Sequence, residues 1–223
     1  MKKPVTYLGD AFFYLISVFF VICFIWILLT PAKYFVAGEI QKVFQNKGES
    51  RAINKYNELL AKNNITRENY KPSMILRKKT RELTIYANSI KIATYTVGLG
   101  RSSIGRKQNK DDLKTPEGSY YICNKEFSHK YHMFLQINYP SSEDAERARN
   151  SLLISNNDYI NISQAETNGE QPPANTELGG NIGIHGFGSE SSWTKDGSIS
   201  MNNIDLEEVF WNIPVGCPIM ILP

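Results

Sequence analysis

Hydrophobic and polar positions change their spacing along the 223-residue chain, and each change marks a different kind of element. Residues 11–30, AFFYLISVFFVICFIWILLT, hold no charged side chain, and the uncharged stretch runs from Asp10 to Lys33. Twenty helical residues span about 30 Å, the thickness of a bilayer's hydrocarbon layer. The apolar part of a cleaved signal peptide is shorter, about 7–15 residues, and ends at a small-residue cleavage site; no clear site of that kind follows here. The pattern predicts an uncleaved transmembrane anchor over 11–30, preceded by a short N-terminus of residues 1–10. The alternatives are a buried core helix or a signal peptide.

Over 34–62 the period is helical. Val36, Ile40, Val43 and Phe44 share one face, and Ile53, Tyr56 and Leu60 share another. Gly48 separates the two pieces and Asn63-Asn64 is the expected stop. Two readings stay open for 31–72: a helical stalk or linker, or an N-terminal helix packed on the domain that follows.

From about Ser73 the period shortens towards two. Ile75-Leu76, then Leu83, Ile85 and Tyr86, then Ile90, Ile92, Ala93, Tyr95 and Val97 read as strands, with a hairpin turn at Asn88-Ser89. Residues 98–118 form a loop rich in Gly, Lys, Arg and Asp, ending Lys114-Thr115-Pro116-Glu117-Gly118. Strands are expected at Ser119–Cys123 and Met133–Asn138. A helix is expected over Ser142–Leu153, with Ser142 as its N-cap and acidic residues in its first turn. Residues 163–178, with Pro172-Pro173, read as a surface loop. Short strands follow at Ile182–His185 and Cys217–Leu222, with a short helix at Asp205–Asn212. The fold class expected is mainly β with short helices, as one domain over 73–223, preceded by the transmembrane helix and the helical segment.

Composition narrows the function. Hydrophobic residues make up 42% and charged residues 21%, enough for a core and against global disorder. A net charge of +3 with no basic stripe argues against a nucleic-acid partner. Arg101, Arg106, Lys107 and Lys110 read as a solvated loop, or else as contacts for anionic carboxylates. Cys123 and Cys217 are either a disulfide of an oxidising compartment or two buried small hydrophobes; the second reading is preferred. No Cys/His spacing resembles a zinc site.

Two segments carry candidate chemistry. The first is Gly179-Gly180-Asn181-Ile182-Gly183-Ile184-His185-Gly186, and the second runs from Trp193 to Asp205. A histidine on a strand-like apolar run, followed thirteen positions on by Ser198 after Gly197, is how a base and a nucleophile meet on neighbouring strands. An imidazole near its ordinary pKa of about 6.5 can act first as base and then as acid. His185 would take that role. Gly186 would leave room beside it and orient the ring through its backbone. Gly197 would allow a tight turn that aims N–H groups at an oxyanion. Trp193 and Tyr139 are candidates for the pocket wall, and His132 and Ser200 for substrate contacts. His129 and His132 otherwise read as surface or rim positions.

These residues resemble the catalytic domain of the L,D-transpeptidase family, often called YkuD-type. The resemblance covers about residues 73–223. It is carried by Leu83-Thr84-Ile85-Tyr86 with its hairpin, Gly98-Leu99-Gly100, Lys114-Thr115-Pro116-Glu117-Gly118, Phe134-Leu135-Gln136-Ile137-Asn138-Tyr139-Pro140, Ile184-His185-Gly186, the Trp193–Asp205 block and the closing Val215-Gly216-Cys217-Pro218-Ile219. It implies a bacterial, exported domain acting on peptidoglycan stem peptides by acyl transfer, with no metal or organic cofactor. The family's cysteine attacks the third residue of a tetrapeptide stem and releases the terminal D-alanine. The acyl group then passes to a stem amine, a lipoprotein lysine or water. Some relatives release the lipoprotein instead.

The resemblance further implies an N-inside anchor in the bacterial inner membrane, with the domain on the periplasmic side. Lys2 and Lys3 before the apolar run and Lys33, Lys42, Lys47 and Arg51 after it do not choose that orientation by themselves.

Ser198 stands where the family has its cysteine, and Ser200 where members have Arg, Asn or Ala. A serine hydroxyl is not appreciably ionised and must lose its proton during attack, which serine hydrolases achieve with a His held by a carboxylate. Asp196 and Glu190 are the candidate carboxylates. The expectations are therefore an L,D-transpeptidase-like enzyme slowed or trapped by serine, or a non-catalytic peptidoglycan-binding pseudoenzyme or scaffold. Cys217, before Pro218 in the closing strand, is not expected to replace the nucleophile.

Overall fold

The computed structural model describes residues 7–102, 104–128, 130–188 and 192–223; within the first helix, the side chains at 7–12, 24, 27–41 and 43–45 also lie outside the described set. The chain divides into two compact units, Met1–Lys47 and Gly48–Pro223.

Helix α1 (Tyr7–Ala61) supplies the first unit and enters the second at Gly48. The expected anchor at 11–30 includes positions outside the described side chains. Among the described residues, no helix is long and apolar enough to cross a membrane.

In the second unit α1 is an ordinary packed helix. Ala52, Tyr56 and Leu60, spaced at i, i+4 and i+8, are buried. The break expected at Gly48 does not occur. A Cβ there would lie 2.7 Å from Glu207 Oε2, so the glycine serves close approach rather than termination.

An eight-stranded sheet follows. Its strands are β1 (Pro72–Arg77), β2 (Glu82–Ala87), β3 (Ile90–Thr96), β5 (Gly118–Ser128), β6 (His132–Ile137), β7 (Gly183–His185), β9 (Ile199–Ser200) and β10 (Pro218–Leu222). Their order is β3-β2-β1-β10-β5-β6-β7-β9. A separate pair joins β4 (Leu99–Gly100) and β8 (Trp193–Thr194). The β2–β3 hairpin turns at Asn88 and Ser89 with φ of 51° and 69°, as a two-residue turn matched to strand twist requires. Leu83 and Ile85 point from β2 into the main core, which also takes Leu135, Ile137, Ile184, Ile199 and Ile219.

Helix α2 (Ser142–Asn150) is capped by Ser141, one residue earlier than expected, through a reciprocal box with Asp144, and it ends before Leu153. The surface loop expected at 163–178 is helical in its first third. Helix α3 (Asn156–Asn168) starts at a second capping box, Ser155 with Asp158, and ends at Gly169 in the left-handed region. Its weak apolar face buries Ile162 and Ala165, and Ile162 packs with Ala145, Ala148, Ile154 and Leu178 in a small separate cluster. Helix α4 (Asn203–Asn212) is capped by Asn202, which accepts from the Asp205 N–H.

Cys123 and Cys217 are free, buried thiols. Burial pushes them up to about 11 and about 12, so neither supplies a thiolate near neutral pH.

Candidate active site

Parallel pairing of β7 with β9 brings the two candidate segments together: Ile184 opposes Ile199, and His185 opposes Ser200. Side chains alternate across a sheet. Ile184 and Ile199 enter the core, so His185 and Ser200 share the other face, and Ser198 directly precedes β9. The Ser198 Oγ accepts from the Gly183 N–H at 3.4 Å, which fixes the serine beside the start of the histidine strand.

The His185 ring is oriented by its own chain. Nδ1 lies 2.8 Å from the Gly186 carbonyl oxygen. A carbonyl only accepts, so Nδ1 carries the proton and Nε2 is left as the basic nitrogen. The Tyr131 ring lies 4.8 Å from the imidazole, centroid to centroid. The Gly186 N–H donates to Tyr131 O at 2.9 Å, and the Phe187 N–H to Asn203 Oδ1 at 2.8 Å. A Cβ on Gly186 would stand 2.5 Å from that Asn203 oxygen, so the room beside the histidine is needed for a cap on the next residue.

On the serine side, Thr194 Oγ1 donates to Ser198 O at 2.7 Å, and the Ser198 N–H donates to Asp196 Oδ1 at 2.9 Å. Gly197 has φ of +97°, and a Cβ there would fall 1.9 Å from Lys114 O. The turn therefore needs glycine both for its dihedral and for its packing. Behind it, Thr115 Oγ1 accepts from the Gly100 N–H at 2.9 Å. The buried Lys78 ammonium donates to Gly105 O, Thr115 O and Glu117 Oε1 at 2.8–2.9 Å. Burial lowers the Lys78 pKa, and the Glu117 carboxylate opposes that shift.

Asp196 does not orient His185 in this arrangement: it caps Ser198, and a backbone carbonyl orients the imidazole. Glu190 lies outside the described residues, as does His129. Ser198 is 1% exposed.

The four candidate substrate contacts fare differently. Ser200 is buried directly opposite His185, and its Oγ has no hydrogen-bond partner among the described residues. Trp193 is exposed, with the Arg81 guanidinium 4.5 Å from its ring centroid, and it is not in the lining of the cleft beside His185. His132 is turned away: its Nε2 meets Glu207 Oε1 at 3.0 Å, and its backbone takes φ of +65°. Tyr139 is not a pocket wall. It is fully buried, packs on Tyr120 with centroids 6.1 Å apart and donates to Leu178 O at 3.2 Å. An amphipathic ring on an inward strand end is held by the core once its hydroxyl finds an internal acceptor.

Three of the four basic residues of the loop are ion-paired, and Arg101 is exposed. Arg106 meets Glu143, Lys110 meets Glu177, and Lys107 is buried against Asp112. Lys78 and Tyr131 were not singled out from sequence, and Asn203 only as part of the Trp193–Asp205 block. Lys78 lies inside the basic cluster Arg77-Lys78-Lys79. The side-chain cap on Phe187 is made by Asn203, two positions before the Asp205 taken as the helix start. Among the described residues, no group of three or more His, Cys, Asp or Glu side chains is placed to hold a metal ion.

No curated protein sequence matches the chain. Solved structures similar to it include Bd1075 of Bdellovibrio bacteriovorus, at 20% identity and TM-score 0.46, covering 70% of this chain and 49% of that one. Pgp2 of Campylobacter jejuni, a helical cell shape determining protein, is 20% identical with TM-score 0.47, covering 69% and 48%. L,D-transpeptidase 1 of Mycobacterium tuberculosis is 12% identical with TM-score 0.40, covering 69% and 62%. The chain thus spans about half the length of the first two structures. Residues 71–221 match the YkuD L,D-transpeptidase catalytic domain, and the chain belongs to that family.

Proposed function

We propose that this domain acts on peptidoglycan stem peptides at the cleft between His185 and Ser198, by acyl transfer of the L,D-transpeptidase type. The observation that carries the reading is the hydrogen bond from His185 Nδ1 to Gly186 O, at the end of the strand whose first residue meets the Ser198 hydroxyl. In this reading Nε2 is left as the base for position 198.

In this reading Nε2 takes the Ser198 hydroxyl proton as Oγ bonds to the carbonyl carbon of the third stem residue. The tetrahedral adduct then collapses. The C–N bond to the terminal D-alanine breaks, and the imidazolium returns its proton to the leaving amine. The resulting ester passes to an amine or to water. An amine acceptor gives a cross-link or a lipoprotein attachment, and reversal of that attachment gives release.

A second reading has its own support. Ser198 is a weaker nucleophile than cysteine, is 1% exposed, and has its N–H engaged by Asp196 rather than free for an oxyanion. Those features favour a domain that binds stem peptide without cutting it.

The uncharged residues 11–30 support a membrane anchor for this domain. The backbone of α1 is helical across them, and Phe13, Phe19, Phe20 and Trp26 are exposed. An N-inside orientation at the bacterial inner membrane would set the domain on the periplasmic side, with peptidoglycan, and in some relatives a lipoprotein, as its partners.

The test exposes the full chain and its Ser198→Cys variant to a tetrapeptide stem and to a carbapenem, read by intact mass. Acylation of the cysteine form alone fits a silenced site of this family, and acylation of both fits a working serine. Binding without any adduct favours the second reading. Neither adduct nor binding in either form contradicts the proposal.

A further inference from the structure

The peptide that orients His185 sits in an uncommon backbone. Phe187, directly after Gly186, takes φ of +56°, and His132, packed against this turn, takes φ of +65°. A bulky side chain in the left-handed region is costly and persists only where its surroundings fix it. Here they are dense. A Cβ on Gly186 would stand 2.9 Å from Tyr131 O and 3.0 Å from His132 Cβ. The His132 and Phe187 rings lie 6.0 Å apart, centroid to centroid. The Gly186 and Met133 N–H groups both donate to Tyr131 O. Residues 131–132 and 186–187 therefore pack as one unit. The Gly186 carbonyl that accepts from His185 Nδ1 belongs to it.

Helix α4 grips both halves of that unit. Asn203 Oδ1 accepts from the Phe187 N–H, and Glu207, one helical turn on and on the same face, reaches the His132 ring. A carboxylate only accepts, so His132 Nε2 donates to Glu207 Oε1, at 3.0 Å. The other oxygen, Oε2, accepts from the Arg51 guanidinium of α1. The contact continues along both helices: Lys55 of α1 pairs with Glu208, and Asn212 Nδ2 donates to Ala52 O at 3.2 Å. Arg51 lies before residues 71–221, the part of the chain that matches the family. A residue outside the catalytic domain is thus two side chains away from the turn that sets the imidazole.

We propose that Glu207 is a positioning residue for His185, and that Arg51 of α1 holds it in place. The inference rests on the functional reading above and makes the base at that site depend on the docking of α1 against α4. Glu207 acts through His132, which it presses onto the Gly186-Phe187 turn. With the turn held, the Gly186 carbonyl keeps the proton on Nδ1 and leaves Nε2 free. With Glu207 neutral or unpaired, His132 and Phe187 relax from their strained backbone and the carbonyl loses its fixed direction.

The test uses the full chain carrying Ser198→Cys. It follows alkylation at position 198 against pH and reads the His185 tautomer from its ring nitrogen resonances by NMR. Glu207→Gln keeps the shape and removes the charge. It should slow alkylation at pH 7 by about ten-fold, less than the roughly 10²-fold that a 1 Å misplacement can cost, and mix the His185 tautomers. Arg51→Met should act in the same direction, and Arg51→Lys should recover most of the rate. Arg51 is half-exposed, so its variants carry the comparison even if Glu207→Gln unfolds the chain. A contact that is only structural would lower the melting temperature and leave the inflection and the tautomer as they were, and that result overturns the inference. An inflection that responds to His185→Gln but to neither Glu207→Gln nor Arg51→Met overturns the positioning role and leaves the functional reading standing. An inflection indifferent to His185→Gln overturns both.

Discussion

His185 closes β7 and Ser198 leads into the adjoining β9, but they are held by different parts of the molecule. The histidine ring is oriented first by the carbonyl of the next residue, with the Tyr131 ring from the turn before β6 and the Asn203 cap at the start of α4 beside it. The serine turn is braced from much farther along the chain. Gly197 presses on Lys114 O, Thr115 holds Gly100, and Lys78, at the end of the first strand, ties Gly105, Thr115 and Glu117 together beneath them. One side of the site takes its orientation from its own backbone and the other from the 101–117 loop. Damage to the 101–117 loop should therefore reach the nucleophile position and spare the base.

The sharpest way to break that contrast is Lys78→Met. It strands the Glu117 carboxylate and two carbonyls in a buried setting, and loss of one partner from a buried pair costs about 3–5 kcal/mol. Urea unfolding should show the loss, and Lys78→Met with Glu117→Gln should recover part of it. A loss below the range of ordinary surface substitutions would remove Lys78 as the brace.

Gly197→Ala comes next. Its Cβ would meet backbone at 1.9 Å, at a φ that L residues rarely adopt, so about 3 kcal/mol of destabilisation is expected in the same assay. Gly186→Ala is the matched change on the histidine side. Its tightest contact is a side-chain oxygen at 2.5 Å that can yield, and about 1–2 kcal/mol is expected. Equal costs at the two glycines would erase the contrast.

The smallest effect is pH-dependent. Burial pushes the Asp112 carboxyl up. The N–H groups of Gln108 and Lys114 and the Lys107 ammonium outweigh it and hold the group below the ordinary aspartate value. A carboxyl depressed in the folded state adds stability above its unfolded pKa and loses it as pH falls through the folded one. Between pH 7 and pH 3 the parent chain should lose more stability than Asp112→Asn. Equal losses would show that the loop does not depend on this charge.

The same contrast explains what could be read from the sequence. Alternation at Leu83, Ile85, Ile92 and Tyr95 with Asn88-Ser89 was enough for the hairpin, because its pairing is local. Ile182–His185 and the Gly197-Ser198 turn were legible from their own short motifs, although the partners that hold them lie far along the chain. Helix α3 was also open to reading from Ser155, Asp158 and Gly169, but its apolar face is two residues wide and gave no helical period. Gly48 looked like a break because glycine is a poor helix former; its reason lies in Glu207, far along the chain. Tyr139 looked like a pocket wall because its strand matched the family, and only packing against Tyr120 and Leu178 shows that it points inward. Lys78 gave no signal, since a buried lysine is recognised by its partners and they lie 27 to 39 residues away.

The central claim, that His185 serves as base for position 198, is tested most directly by the pH dependence of iodoacetamide alkylation at Ser198→Cys, alone and with His185→Gln. Mass mapping would confine the signal to position 198, away from the buried Cys123 and Cys217 thiols, which burial holds at about 11 and about 12. With His185 present, the rate should rise through an inflection below the ordinary cysteine value of about 8.5, and His185→Gln should move it upward by a unit or more. The same inflection in both forms would mean that the imidazole and position 198 do not act on each other, and the account would be wrong.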